Sequence, residues 1–122
     1  MIRKFVLAAC LIATPLTQLQ AMNLAEFLQK ADRLEKKGMA AMFSSDFRLL
    51  KGEIQTASQA LRAERLAAER AGRRGAYCPP ARSGFKSNEL LAHFRTIPPA
   101  QRAGTPVKEA LKSFLVRKYP CR

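Results

Sequence analysis

The chain has no tryptophan, a single histidine and only nine carboxylate side chains. One histidine cannot assemble the three or four nitrogen, sulfur and oxygen ligands of a zinc centre. The acids are scattered, six of them before Arg65, so no pair stands out as a general acid and base. The few glycines build no phosphate-binding loop, since Gly72-Arg73-Arg74-Gly75 lacks the required spacing. No apolar run reaches the roughly 20 residues that a membrane-spanning helix needs. These shortages exclude most metal, cofactor and acid–base chemistry, and they direct the reading towards binding rather than catalysis.

What is present is positive charge and apolar surface. The 122 residues allow one domain, and 48% of them are apolar, enough for a core. Lys and Arg number 22, giving a net charge of +13. A balance this basic points to nucleic acid, an anionic membrane surface or an acidic protein partner.

The first 21 residues narrow that choice. Arg3 and Lys4 precede an apolar run from Phe5 to Leu16, and Leu19-Gln20-Ala21 ends the stretch on a small residue. This is the charged, apolar and small-residue order of a secretory signal peptide, with the expected cut between Ala21 and Met22. A core helix is disfavoured, because Pro15 inside it would cost about 3 kcal/mol. Leu7-Ala8-Ala9-Cys10 resembles a lipoprotein cleavage box, but the apolar run continues through Leu11, Ile12 and Leu16, which argues against lipidation of Cys10. Residues 22–122 are therefore expected to be a periplasmic domain without stable membrane insertion, and their positive charge no longer meets a chromosome. Of the three cysteines, Cys78 and Cys121 remain. In an oxidising compartment two such cysteines form one disulfide, whereas two thiols alone lack the further ligands of a metal site.

The apolar spacing is helical throughout the domain. Asn23 can cap a first helix, with Glu26 at the capping-box position and Leu24, Phe27, Leu28, Ala31 and Leu34 on one face. Gly38 suits its end, and Gly38–Phe43 is expected to be a packed turn. Ser44 or Ser45 then caps a long helix carrying Phe47, Leu50, Ile54, Ala57 and Leu61, which fades by Ala71. Gly52 within it marks a kink or a close helix approach. Arg65–Glu69 and Glu69–Arg73 are spaced as i, i+4 ion pairs. Tyr77-Cys78-Pro79-Pro80 must be extended. Ser87 is expected to cap a third helix with Leu90, Leu91 and Phe94, and Thr105 a last one, with Pro106 at its first position and Val107, Ala110, Leu111, Phe114 and Leu115 inside. The expected fold is all-α, a compact bundle of about four helices tied by one disulfide after a cleaved leader.

Cys78-Pro79-Pro80 after a long helix, Ile97-Pro98, Arg102 and the terminal Tyr119-Pro120-Cys121 together resemble the Rap/Tai family of periplasmic immunity proteins associated with type VI secretion. That resemblance implies a helical fold, an intramolecular disulfide and the binding of a secreted protein toxin. The family's toxins include amidases that cut peptidoglycan, whose active-site cleft the immunity protein is thought to block. No motif fixes the toxin-contacting residues.

His93 lies beside the Leu90/Phe94 face, and no Ser or Cys partner is identifiable in the sequence, so a boundary or surface histidine is expected. Arg62, Arg65, Arg70, Arg73 and Arg74 cluster around the end of the second helix. They read either as a solvated face interleaved with Glu64 and Glu69 or as a docking surface for an acidic partner. Nucleic acid is set aside, because no aromatic platform accompanies the arginines. The rival reading is a small periplasmic chaperone or envelope-stress protein without a cognate toxin. Dimerisation is left open.

Overall fold

A computed structural model describes residues 21–122. Residues 1–20, which hold Cys10 and nearly all of the expected leader, lie outside the described residues. The described chain is all-α, with α1 Leu24–Lys37, a 3-10 turn Gly38–Phe43, α2 Ser45–Arg70, α3 Ser87–Thr96, α4 Pro99–Arg102 and α5 Val107–Lys118. Five helices replace the expected four, because Pro98-Pro99 starts a single extra turn rather than only separating its neighbours. Proline is well placed at the first helical positions, where no amide hydrogen is needed.

The caps follow the local chemistry with two corrections. The Asn23 side chain accepts from the Glu26 amide at 2.9 Å, and Ser44 Oγ accepts from the Phe47 amide at 3.2 Å. Gly38 closes α1 at a φ of 60°, a region that favours glycine. Ser87 is the first residue of α3 rather than its cap. Lys86 holds the cap position, and its amide donates to the Glu89 carboxylate at 3.1 Å. Thr105 does not cap α5 either. Its hydroxyl turns back to the Gln101 carbonyl at 2.8 Å, and the helix begins one residue later than expected, at Val107 after Pro106.

Each helix buries one stripe. Leu24, Phe27, Leu28 and Ala31 of α1 meet Leu50, Ala57 and Leu61 of α2, Leu90 and Phe94 of α3, and Val107, Ala110, Leu111, Phe114 and Leu115 of α5. Phe94 is fully buried and meets Phe27 edge-on, with ring centroids 5.4 Å apart. Gly52 is not a close approach: α2 runs unbroken through it, with open space where a side chain would stand.

The loop after α2 returns across the end of α5. Cys78 and Cys121 are disulfide-bonded with Cα atoms 4.9 Å apart, and the Cys78 amide donates to the Tyr119 carbonyl at 2.8 Å. The other motif residues also act locally. Arg102 donates to the Ile97 carbonyl at 2.8 Å and to the Arg95 carbonyl at 3.0 Å, covering acceptors left open at the end of α3. The Tyr119 hydroxyl donates to the Gly84 carbonyl, fixing the far side of the same loop.

Candidate functional site

The arginine cluster divides into side chains with different tasks. Arg65 is half-buried. Its guanidinium lies 5.7 Å from the centre of the Tyr77 ring and donates to Glu69 at 3.2 Å. Gly75 closes over it, and a Cβ there would sit only 2.7 Å from Arg65 Cγ. Arg74 donates to the Arg122 carbonyl oxygen at 2.9 Å, holding the tail beside the disulfide. Arg73 lies beyond the helix end, where its amide bonds to the Ala68 carbonyl, and the Glu69–Arg73 pair does not form. Arg62, Arg70 and Arg73 remain as exposed cations, without an acid partner among the described residues.

Most carboxylates are engaged within the molecule. Asp46 faces Lys30 and Arg33, Asp32 and Glu35 share Arg95, Glu64 meets Lys108, Glu69 meets Arg65, and Glu89 meets Lys118. The Lys118 bond, then the Lys86 amide, hold the Glu89 carboxyl below its ordinary range. The surface left over is cationic, as the composition implies.

His93 is half-buried, a boundary histidine as expected, and it has a partner that the sequence did not reveal. Its Nε2 lies 2.9 Å from Ser113 Oγ, twenty residues away on α5. His93 lines a cleft of about 350 Å³ with Glu89, Phe114, Arg117 and Lys118. The Ser113 hydroxyl donates to the Ala110 carbonyl at 2.7 Å, so the histidine supplies the proton of the other bond and Ser113 accepts it. A nucleophilic serine needs the reverse polarity and a third group to orient the imidazole. Among the described residues no cluster of three or more His, Cys, Asp or Glu side chains could hold a metal ion.

Desolvation first, then the nearby Arg117 charge, lower the His93 pKa below its ordinary 6.5. The folded chain therefore takes up this proton less readily than the unfolded one. The contribution to stability is intact above the unfolded pKa and is lost as the pH falls through it towards the folded value. Melting curves between about pH 8 and pH 5 should show a loss below about pH 6.5 that His93→Gln reduces. Identical pH profiles for the two chains would show that His93 is not its source.

A larger concavity lies elsewhere. Phe27, Leu34, Phe47, Ile54, Phe85 and Leu91 line an apolar groove of about 590 Å³ between α1, α2 and α3. Its α1 and α2 walls adjoin the 3-10 turn. That turn is not packed as expected: only Ala41 is buried, and Met39, Met42 and Phe43 are 83%, 60% and 85% exposed. The apolar residues that should have closed it are left at the surface. Lys36, Lys37, Arg48 and Lys51 are exposed around this end, without acid partners among the described residues. Sequence reasoning missed this site, although the uninterrupted Met39-Ala40-Ala41-Met42-Phe43 was the available signal.

No family model matches the chain, and no curated protein or solved structure does.

Proposed function

We propose that the chain is an exported periplasmic binding protein of the immunity type, which neutralises a secreted toxin by stoichiometric occlusion and performs no chemistry itself. The observation that carries this reading is the exposed Met39, Met42 and Phe43 on the turn that joins two walls of an apolar groove, in a stretch of chain that also exposes Lys36, Lys37, Arg48 and Lys51. Phe, Met and Arg are favoured in protein interfaces, and large exposed apolar patches mark contact sites. Such a surface suits a partner that offers an apolar anchor flanked by carboxylates. The resemblance carried by Cys78-Pro79-Pro80 and Tyr119-Pro120-Cys121 supports a toxin as that partner, and a peptidoglycan amidase as its class. The disulfide and the Tyr119 bonds to the loop support a rigid occluding body.

The test is capture of tagged protein from the periplasm, followed by toxin challenge of a strain lacking the gene. Phe43→Ala should weaken the captured complex by about 2 kcal/mol, roughly thirtyfold in Kd, while leaving the fold intact. Α2 is about 39 Å long at 1.5 Å per residue, so a combined Arg62, Arg70 and Arg73→Ala variant probes the opposite end of the molecule. Loss of binding there with none at Phe43 would move the interface to the arginines. No captured effector and no sensitivity of the deletion strain would defeat the immunity reading.

The chaperone alternative draws on the same exposed methionines, whose flexible side chains adapt to varied apolar partners. It predicts suppression of aggregation of unrelated unfolded proteins at molar ratios near one, with no single captured effector.

A further inference from the structure

The entry of the chain into the fold is sharply bounded. Ala21 is exposed, whereas Met22 is only 9% exposed and packs into the core. The Met22 carbonyl accepts from the Val107 amide at 3.0 Å, and the Leu24 amide donates to the Thr105 carbonyl at 2.8 Å. The Met22 backbone nitrogen donates to Glu53 Oε1 at 3.2 Å, joining the start of the domain to the middle of α2. Glu53 is half-buried and, in a chain so rich in Lys and Arg, has neither within 4.0 Å among the described residues. The other two carboxylates without such a partner, Glu26 and Glu109, are exposed in first helical turns, where the helix dipole favours them. Glu53 has no such compensation.

We propose that the Ala21–Met22 bond is the processing site, and that its hydrolysis supplies the missing cation as the new α-ammonium of Met22. Water adds its hydroxyl to the Ala21 carbonyl carbon, the C–N bond breaks, and the departing nitrogen takes the remaining hydrogen. At neutral pH that amine gains a second proton from solvent, since a free α-amine has a pKa near 8. An amide–carboxylate bond, charged on the acceptor alone, thereby becomes an ammonium–carboxylate pair charged on both sides. Only this cut does so. Cleavage one residue earlier would place the charge on Ala21, one Cα step of about 3.8 Å away, and leave Met22 with a neutral amide. The leader's removal and the completion of the fold are then one event: the uncut chain lacks an ion pair that the cut chain has.

This proposal rests on the export reading and does not depend on any toxin. Intact-mass measurement of the full chain, exported and recovered from a bacterial periplasm, should give residues 22–122. A different start, or an uncut chain, overturns the assignment. Because the core formed by the described residues begins at Met22, chains beginning at Met22 and at Ala21 can be compared directly, each with and without Glu53→Gln. The substitution should lower the melting temperature by several degrees in the Met22 chain and by much less in the Ala21 chain. Raising the pH to about 9.5, where an α-amine has lost its proton, should erase most of that difference. Equal losses in the two chains overturn the ion pair.

Discussion

Replacing Cys78 or Cys121 by serine should lower the melting temperature by roughly 10–25 °C, and replacing both should lower it little further. The bridge spans 43 residues of sequence. In the loop-entropy description a closure of that length contributes about 4 kcal/mol, and native disulfides in small exported domains contribute about 2–5 kcal/mol. A domain of this size moves about 4–8 °C per kcal/mol. The effect extends beyond the unfolded chain, because the same crossing holds the Cys78 amide on the Tyr119 carbonyl and Arg74 on the chain's last carbonyl. Each single substitution frees the whole crossing, so the second finds nothing left to break. Calorimetry of the three variants, alongside the reduced parent chain, checks this. Clearly additive losses would mean that the two sulfurs act independently.

What could be read from the sequence follows the range of the interaction. Asn23 and Ser44 as caps and the Arg65–Glu69 pair were legible because each joins residues three or four apart on one helix. The apolar stripes were legible for the same reason, and Cys78–Cys121 because these are the two cysteines outside the expected leader. The bond between His93 and Ser113 was not, since it depends on how α3 lies against α5. Arg65 looked like one member of a basic run, and only the returning loop shows that Tyr77 and Gly75 enclose it. The groove is still further from the sequence. Phe47, Ile54 and Leu91 read as core residues by spacing, and they line a concavity because, among the described residues, no further helix covers that side of α1 and α2. The 3-10 turn failed as a packed turn for the same reason: composition says what prefers burial, but the bundle's geometry sets how much can be buried.

Two phenylalanines separate stability from binding. Phe94 is fully buried, with Phe27 edge-on at 5.4 Å and an angle of 80° between the rings. Phe94→Ala removes the largest fully buried side chain from the seam between α1, α3 and α5. Helix α3 is only ten residues long, so little else of its length can hold it in place. The expected loss is about 3–5 kcal/mol, of which the aromatic pair supplies roughly 0.5–1.5 kcal/mol. Phe94→Leu keeps most of the apolar volume and should cost much less. Phe43→Ala should leave unfolding within about 0.5 kcal/mol of the parent, because the ring is 85% exposed. Urea unfolding of the three chains decides the point. A Phe94→Ala loss below about 1.5 kcal/mol would mean that the site collapses around the smaller side chain, as well-adapted cavities can. A large loss at Phe43 would mean that the exposed turn is held by contacts within the fold, and it would remove the main support for Phe43 as a contact with a partner.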